Sequence, residues 1–458
     1  MSRLFGTDGI RGVANSHPIT PETGLGLGRA VIHLCERNGF DPSVVIGGDT
    51  RASGKMLEYA VASGVLSASG KVRLAGEIPT PGVAYLTRAL GCGAGIVISA
   101  SHNSYEYNGF KVFSSKGYKL SEQEESGLEE LILSAKGFCS SRVPEASGDV
   151  SILSDAASRY ISFLGKTLRG VALNGIRVVL DCANGAASTV GPALFQGLGI
   201  EADLLCAEPD GRNINRNCGS QHTKALRQRV LETGADVGLA FDGDADRLIA
   251  VDEKGKVLTG DQILVVCAKM LKDQGGLKNN LVVSTVMSNI GLSIALERLG
   301  IEQVSTRVGD RHVMEEMRAR HAALGGEESG HIIFRDHHTT GDGLVSALQL
   351  LAAIKLSGRP LSELSGLMTI FPQTLINIRV SRKPELSTVP ELAEAVSRVE
   401  KKLGDRGRVL VRYSGTEPVL RVMVEGEDRV AVEGYASLIG EVVKRKLSYS
   451  NSSDSSAG

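Results

Sequence analysis

The chain has 458 residues, and its 51 Lys and Arg against 52 Asp and Glu leave a formal charge of −1, so nothing in its charge indicates a nucleic-acid partner. Apolar residues make up 42% and charged residues 22%, which is typical of soluble globular proteins, excludes disorder of the whole chain and leaves room for several domains. No stretch approaches the ~20 apolar residues of a membrane helix and no signal core is present, so we expect a cytoplasmic protein. The 7 scattered cysteines show no C-x-x-C spacing, which favours reduced thiols over a disulfide framework or a zinc site.

Short apolar strands that end in small residues, each followed by a helical pattern, recur along most of the chain. Clear examples are residues 44–49, 177–186 and 281–289. This alternation is typical of α/β layers, and its spacing predicts three related α/β domains. We place these domains at residues 1–152, 153–257 and 258–369.

The C-terminal region has a different pattern. A strand candidate at 375–380 is followed by apolar residues at helical spacing over 392–403, by strand candidates at 409–411 and 419–424, and by a second helical pattern. The order predicts a small α+β domain over residues 370–447. The Ser-rich tail, residues 448–458, is predicted to be disordered.

The segment Ile98-Ser-Ala-Ser-His-Asn-Ser104 ends a buried apolar run. Ser101 in such a loop could be a nucleophile, with His102 beside it. Adjacent side chains on an extended chain point apart, so a Ser–His pair is not expected, and the G-x-S-x-G elbow is missing. The segment is equally consistent with a serine that only forms a turn.

The segment Asp242-Gly-Asp-Ala-Asp-Arg247 follows an apolar strand pattern. Its carboxylates, Asp242, Asp244 and Asp246, can converge on one hard cation, and their oxygen-only donors favour Mg²⁺. An EF-hand is excluded because its sixth position is Arg247 instead of Gly. The alternative is a solvated acidic turn, but carboxylates packed between two apolar strands repel one another without a cation, which favours the metal.

Gly-rich segments at 6–12, 325–331 and 412–418 combine flexible backbone with charged or hydroxyl side chains and could bind phosphate or sugar hydroxyls. Each alone could equally be a turn. Two nucleotide motifs are excluded: residues 48–56 place Met56 where a P-loop needs Ser or Thr, and residues 24–29 place Arg29 where a dinucleotide fold needs Gly. His337 and His338 are predicted to be solvated.

Together and in this order, the motifs GTDGIRG at Gly6, ISASHN at Ile98, DGDADR at Asp242, GGEESGH at Gly325 and RYSGTEP at Arg412 resemble the α-D-phosphohexomutase family over nearly the whole chain. Within it, the motifs look most like the bacterial phosphoglucosamine mutase branch. The resemblance implies three related α/β domains and a smaller α+β domain around a central active-site cleft. It also implies interconversion of glucosamine 6-phosphate and glucosamine 1-phosphate through a phosphoserine and a 1,6-bisphosphate, in the supply of UDP-N-acetylglucosamine.

The same resemblance assigns roles. It implies that Ser101 carries the phosphoryl group and that one Mg²⁺ is bound by a phosphoserine oxygen with Asp242, Asp244 and Asp246. Catalytic or phosphate contacts are implied for Arg11, His102, Lys111, Arg247 and His331. Sugar contacts are implied for Glu327 and Ser329, and contacts to the distal phosphate for Arg412, Ser414, Gly415 and Thr416.

The partners implied are a small sugar phosphate, with no nucleic acid and no membrane, and a monomer or homodimer. One departure is that Ser104 stands where the family usually has Pro. Three alternatives stay open: a phosphomannomutase or phosphoglucomutase of the same family, an aspartate-nucleophile phosphatase suggested by the D-x-D pattern, and a sugar-phosphate binding protein without turnover.

Overall fold

The structure is a computed structural model that describes residues 4–6, 8–134, 148–414 and 418–448. Of the predicted features, Gly415, Thr416 and all but the first residue of the predicted disordered tail lie outside these residues. The chain divides into two compact units, one of residues 1–288 and 299–367 and the other of residues 289–298 and 368–458. Within the described ranges, no helix is long and apolar enough to cross a membrane.

The first sheet has six strands in the order β1-β5-β4-β2-β3-β6. They are β1 (Ile10–Val13), β2 (Ser43–Gly48), β3 (Lys71–Glu77), β4 (Ala94–Ile98), β5 (Tyr107–Ser114) and β6 (Val150–Ile152). The helices of this region are α1 (Pro21–Arg37), α2 (Gly54–Ser67), α3 (Thr80–Ala89), α4 (Glu122–Leu133) and α5 (Ala156–Lys166). Strand β2 is buried along its whole length, as expected for a central parallel strand, and β4 pairs parallel with β2 but antiparallel with β5.

Helices α1 and α2 explain the glycine-rich segment that resembled a dinucleotide motif. Helix α1 begins at Pro21 and is capped by Thr20, whose hydroxyl accepts the backbone N–H of Thr23. A Cβ at Gly28 would lie 2.3 Å from the carbonyl oxygen of Val61 on α2. The glycine is therefore required for close helix packing.

The second sheet has the order β11-β10-β9-β7-β8 and the third has the order β13-β12-β14-β15. Their strands are β7 (Arg177–Asp181), β8 (Glu201–Leu205), β9 (Val237–Phe241), β10 (Leu248–Asp252), β11 (Val257–Leu258), β12 (Leu281–Thr285), β13 (Glu302–Thr306), β14 (Leu324–Gly326) and β15 (Ile332–Phe334). The helices are α6 (Ala187–Gly197), α7 (Lys224–Thr233), α8 (Gly260–Asp273), α9 (Ile290–Arg298), α10 (Asp310–Ala319), α11 (Gly343–Ser357) and α12 (Leu361–Leu364).

The three sheets share one plan, which confirms the prediction of three related α/β domains. In each, parallel strands are followed by an antiparallel hairpin: β4–β5, β9–β10 and β14–β15. The loops of these hairpins are residues 99–106, 242–247 and 327–331. Three of the sequence motifs therefore occupy the same position in three repeats.

The second unit contains the predicted α+β domain. Its sheet has the order β16-β18-β17, with β16 (Gln373–Arg379), β17 (Arg408–Tyr413) and β18 (Val419–Glu425), and it packs against α13 (Pro390–Leu403) and α14 (Arg429–Leu447). Buried apolar residues such as Leu392, Val422 and Ile439 form its core. Helix α9 belongs to this unit, and the preceding Asn289 donates from Nδ2 to Glu425 Oε1 at 3.1 Å.

Candidate active site

Ser101 lies in the first hairpin loop, is fully buried and has a φ of 52°, a conformation that non-glycine residues adopt rarely. Its Oγ donates to Asp242 Oδ2 at 2.6 Å and lies 3.3 Å from His102 Nδ1. The expectation that the Ser101 and His102 side chains point apart is therefore wrong. The reason is the positive φ, because the rule of alternating side chains holds only for extended backbone.

The guanidinium of Arg51 holds the serine loop through backbone carbonyls. Its Nη2 donates to the carbonyl oxygens of Ser101 at 3.0 Å and Asn103 at 2.8 Å, and Nη1 donates to those of Ser104 and Tyr107. Nε donates to Asp49 Oδ2 at 2.9 Å, so all five N–H bonds of the group are used.

A carboxylate completes this support. Asp49 Oδ2 accepts the Ser99 hydroxyl at 2.5 Å, and Ser99 Oγ in turn accepts the backbone N–H of Ser101 at 2.9 Å. Burial raises the pKa of Asp49, while the charge of Arg51 acts in the opposite direction. Sequence reasoning missed Arg51, although a charged pair directly after a buried central strand was a usable signal.

The loop between β8 and α7 also supports the serine loop. Asn215, in the loop before α7, donates from Nδ2 to the carbonyl oxygens of Ser101 and Asn103, both at 2.9 Å. Gly243 permits this contact, because a Cβ there would lie 2.6 Å from the Ser101 carbonyl oxygen and 2.8 Å from Asn215 Nδ2. This close approach of the two loops requires the glycine of the acidic motif.

Asp242, Asp244 and Asp246 are buried, and one carboxylate oxygen from each lies within 4.8 Å of the others. Lys111, on β5, donates from Nζ to Asp244 Oδ2 at 2.8 Å and to Asp246 Oδ2 at 3.1 Å. Oδ1 of Asp244 and Oδ1 of Asp246 are buried without a hydrogen-bond partner among the described residues. Unsatisfied buried oxygens of this kind are suited to a hard cation such as Mg²⁺.

The charges of these groups are strongly coupled. Burial, together with the negative charges of Asp246 and Asp244, raises the pKa of Asp242 well above its usual range. For Asp246, burial acts in the same direction, but Lys111, His331 and Arg247 outweigh it and hold the pKa well below the usual range. Asp242 is therefore the carboxyl group of the cluster that ionises least readily, and a bound divalent cation would favour its ionised form.

Arg247 and Arg11 supply positive charge next to the serine loop. Arg247 Nε lies 3.7 Å from Asp246 Oδ1 and 4.0 Å from Asp242 Oδ2, while Arg11 pairs with Asp8. The Nε groups of both arginines are buried and make no hydrogen bond within the described part of the chain. Burial lowers the pKa of His102, and the positive charges of Arg247 and Arg11 lower it further, to about 4. The ring is therefore neutral at pH 7.

The third hairpin loop lies next to the acidic one, since the backbone N–H of Leu248 donates to the Gly330 carbonyl oxygen at 3.0 Å. His331 is buried with Nδ1 3.6 Å from Asp246 Oδ1, and its Nε2 accepts the Gly341 N–H at 3.2 Å. Burial lowers the pKa of His331, but Asp246 and Asp310 outweigh it and the net shift is upward. The Gly341 contact is compatible only with the ring that carries its proton on Nδ1.

The two predicted sugar ligands lie in the same turn. Glu327 is half-buried and its Oε1 accepts the Gly309 N–H at 3.0 Å, whereas Ser329 is exposed. Lys119 and Asp310, which sequence reasoning missed, extend the ionic network. Lys119 pairs with Asp8 and, at 2.5 Å, with Asp310 Oδ2.

In the second unit, Arg412 lies on β17 directly opposite Arg421 on β18. Burial, and then the charge of Arg421, lowers the pKa of Arg412. Like charges directly opposite each other on paired strands are unfavourable. Ser414 follows at the end of β17 and its carbonyl oxygen accepts Lys383 Nζ at 2.9 Å. This end of the hairpin is therefore rich in positive charge, as an anion site requires.

Comparison with protein families gives four matches in chain order. Profiles of the phosphoglucomutase/phosphomannomutase alpha/beta/alpha domains I, II and III match residues 2–137, 158–255 and 259–371, and the profile of the C-terminal domain of the same family matches residues 375–441. These matches confirm the predicted four-domain architecture. The domain boundaries given above stay predictions.

Two curated relatives match nearly end to end. A protein named phosphoglucosamine mutase from Syntrophus aciditrophicus is 54% identical over 98% of this chain and 100% of its own length. One of the same name from Syntrophobacter fumaroxidans is 51% identical over the same shares.

Solved structures show the same fold. A phosphoglucomutase/phosphomannomutase family protein from Burkholderia thailandensis superposes with a TM-score of 0.79 at 24% identity, over 98% of this chain and 100% of the other. The N-acetylphosphoglucosamine mutase of Aspergillus fumigatus, solved with GlcNAc-6P and magnesium, gives a TM-score of 0.67 at 17% identity, over 96% and 95% of the two chains.

Proposed function

Because this chain belongs to the phosphoglucomutase/phosphomannomutase family, we propose that it interconverts glucosamine 6-phosphate and glucosamine 1-phosphate. Relatives that are 54% and 51% identical over their full length are named phosphoglucosamine mutase, which supports this substrate over the glucose and mannose phosphates. The observation that carries the chemistry is the position of Ser101, whose Oγ lies 2.6 Å from Asp242 in a loop held by Arg51 and Asn215.

Ser101 is the proposed carrier of the phosphoryl group. In the first half-reaction, the bond between Ser101 Oγ and phosphorus breaks while a sugar hydroxyl oxygen bonds to phosphorus, and the hydroxyl proton leaves to a base. The product is a 1,6-bisphosphate, which turns around in the site. In the second half-reaction the bond between phosphorus and the other sugar oxygen breaks, this oxygen takes up a proton, and the phosphoryl group bonds to Ser101 Oγ, so no phosphate is lost.

The proposed metal ligands are Asp242, Asp244, Asp246 and an oxygen of the phosphorylated Ser101. The two unsatisfied buried oxygens and the oxygen-only donor set support Mg²⁺ at this position. When bound, the ion would neutralise charge on the transferring phosphoryl group.

The chain's own cations have a distinct role in this proposal. Arg247 and Arg11 each have a buried Nε that makes no hydrogen bond to described residues, so both can donate to phosphoryl oxygens as charge develops. The carboxylates of Asp244 and Asp246 raise the pKa of Lys111 despite its burial, so Lys111 is suited to neutralise charge and not to act as a base. His331, with an upward-shifted pKa, stays a candidate for moving the proton.

The remaining proposed contacts concern the non-reacting part of the substrate. Glu327 and Ser329 are the proposed ligands of the sugar hydroxyls. For the distal phosphate we propose Arg412 and Ser414, together with Gly415 and Thr416, which lie outside the described residues. Arg412 and Arg421 lie opposite each other on paired strands, and this concentration of positive charge supports an anion there.

A substrate comparison tests the proposal. Steady-state rates with the 6-phosphates of glucosamine, glucose and mannose should give the highest kcat/KM for glucosamine 6-phosphate. A higher value for glucose or mannose 6-phosphate would instead identify a phosphoglucomutase or phosphomannomutase of this family. The assay includes a trace of the matching 1,6-bisphosphate to phosphorylate the enzyme.

A serine variant tests the covalent step. Intact-mass analysis of the wild type should show one phosphate, which adds up to two negative charges, and Ser101→Ala should lose both this phosphate and turnover. The matched control is Ser126→Ala on α4, whose hydroxyl donates only to its own helix. Full activity of Ser101→Ala would refute the phosphoserine mechanism.

A further inference from the structure

A second cluster of potential metal ligands lies in the second domain, apart from the three active-site aspartates. It consists of Asp181 at the end of β7, Cys206 directly after β8, and Cys218 in the loop before α7. One ligand atom from each lies within 4.8 Å of the others. Parallel pairing of β7 and β8, with Asp181 opposite Leu205, brings the first two residues to the same edge of the sheet.

The backbone holds these donors in place. The two oxygens of Asp181 accept the N–H groups of Ala183 at 2.9 Å and Gly219 at 2.8 Å, and the latter contact fixes the residue next to Cys218. The Cys206 carbonyl oxygen accepts the Asn184 N–H at 2.5 Å, and Cys206 has a φ of 47°. A carboxylate oxygen that accepts one hydrogen bond retains a lone pair for a cation.

We propose that Asp181, Cys206 and Cys218 bind a thiophilic divalent cation such as Zn²⁺, with a fourth position open to water. Tetrahedral Zn²⁺ takes sulfur ligands at about 2.3 Å and carboxylate oxygens at about 2.0–2.2 Å, which the separation of these donors allows after small side-chain movements. The donor set distinguishes this site from Asp242, Asp244 and Asp246, because thiolates select soft or borderline ions whereas oxygen-only ligands select Mg²⁺.

Binding is a proton exchange. Two sulfur–metal bonds form, two S–H bonds break, and both protons leave to solvent without an oxidant or reductant. Cys206 is only half-buried, which gives the ion a route from solvent.

The site is coupled to the serine loop through the chain itself. Cys206 and Cys218 flank the segment 207–217, which carries Asn215, and the amide of Asn215 donates to the carbonyl oxygens of Ser101 and Asn103. A bound cation therefore fastens both ends of a segment that supports the proposed nucleophile. This gives a thiophilic metal a structural effect on the active-site loop without contact with substrate.

Cobalt titration of the full chain tests the proposal. The protein is freed of metal with EDTA, desalted and kept reduced with a phosphine, and Co²⁺ is added in the presence of excess Mg²⁺. We expect thiolate-to-cobalt charge-transfer absorption that saturates at one equivalent and is abolished by Zn²⁺ but not by more Mg²⁺. Absence of this absorption in the wild type overturns the proposal.

Variants assign the ligands. Cys206→Ser and Cys218→Ser should each remove most of the absorption, and Asp181→Asn should weaken Co²⁺ binding by about tenfold or more. The matched control is Cys182→Ala, because Cys182 is a buried thiol next to Asp181 that is not one of the three ligands. A charge-transfer band that survives both serine variants, or that is lost only with Cys182, refutes the assignment.

A measurement on the wild type tests the proposal even if the variants do not fold. Peptide mapping after timed alkylation should show that Zn²⁺ slows modification of Cys206 and that EDTA restores its rate. Equal alkylation rates of Cys206 with and without Zn²⁺ contradict the proposal.

Discussion

Arg51→Lys tests whether the serine loop depends on one buried guanidinium. The substitution keeps the positive charge beside Asp49, so it avoids the ~3–5 kcal/mol cost of a buried charge left without its partner. What it changes is the number and geometry of the donors. Arg51 uses five N–H bonds, on Asp49 and on the carbonyl oxygens of Ser101, Asn103, Ser104 and Tyr107.

The expected cost follows from counting donors. A lysine ammonium has three N–H bonds, so at least two of the five acceptors lose their partner. Hydrogen bonds to charged groups contribute about 1.5–3 kcal/mol each. Because the bonds to Asn103, Ser104 and Tyr107 are only partly buried, we expect a loss of about 2–4 kcal/mol, concentrated in the loop. Displacement of Ser101 Oγ by ~1 Å would lower kcat on the order of a hundredfold, with KM nearly unchanged.

Steady-state kinetics, intact-mass measurement of Ser101 phosphate and calorimetric Tm are compared for wild type, Arg51→Lys and Tyr160→Phe. Tyr160→Phe is the matched control, since it removes a buried hydrogen bond of 2.7 Å to Asp342 in the same unit, and neither residue is one of the partners of Arg51. It should lower Tm without lowering kcat. Wild-type kcat and phosphate content in Arg51→Lys, or an equal loss of kcat in Tyr160→Phe, would refute the reasoning.

Three further predictions concern the cation, the distal phosphate and a buried acid. Asp244→Asn should weaken Mg²⁺ binding and lower kcat by orders of magnitude, since the cation loses a carboxylate, and full wild-type activity in EDTA would contradict this. Arg412→Ala should lower kcat/KM about tenfold to a hundredfold while Ser101 phosphate content is unchanged, and an unchanged KM would argue against a phosphate contact. Burial raises the pKa of Asp342 to about 6, so its neutral form stabilises the fold below its unfolded pKa and this stability is lost as pH rises through about 6. Asp342→Asn should therefore gain Tm relative to wild type between pH 4 and 7.5, by calorimetry, and parallel Tm curves would contradict the shift.

The sequence was sufficient for the strands that carry the motifs and for the three related domains, because strand ends and apolar runs are local features. It did not show that residues 99–106, 242–247 and 327–331 occupy equivalent hairpin loops. In each sheet the parallel strands are followed by an antiparallel strand, and the direction of a strand is decided by its pairing with distant segments. The apolar pattern of a single strand is compatible with either direction.

Residues that act through the backbone of another segment could not be given a role from the sequence, even where, as for Arg51, their position after a buried strand was a signal. Arg51 and Asn215 hold carbonyl oxygens that are 50 or more positions away in the chain, and neither belongs to a motif with known chemistry. His338 is a related case, since it was predicted to be solvated but is buried with its ring edge-on to Phe163. Burial, and then the charge of Arg88, lowers the pKa of His338 to about 3, so it is a neutral core residue.

The repeated hairpin explains how three chemistries meet in one place. The first loop carries Ser101, the second carries the three aspartates, and the third carries Glu327 and His331, while each sheet keeps its own core. Contacts between the loops are polar: Ser101 Oγ donates to Asp242 Oδ2 at 2.6 Å, and His331 Nδ1 lies 3.6 Å from Asp246 Oδ1. A substitution in one loop therefore changes the electrostatic environment of the other two loops without repacking a core. This is why the predictions for Arg51 and Asp244 separate: the first should move the serine at constant charge, and the second should change the charge at constant serine position.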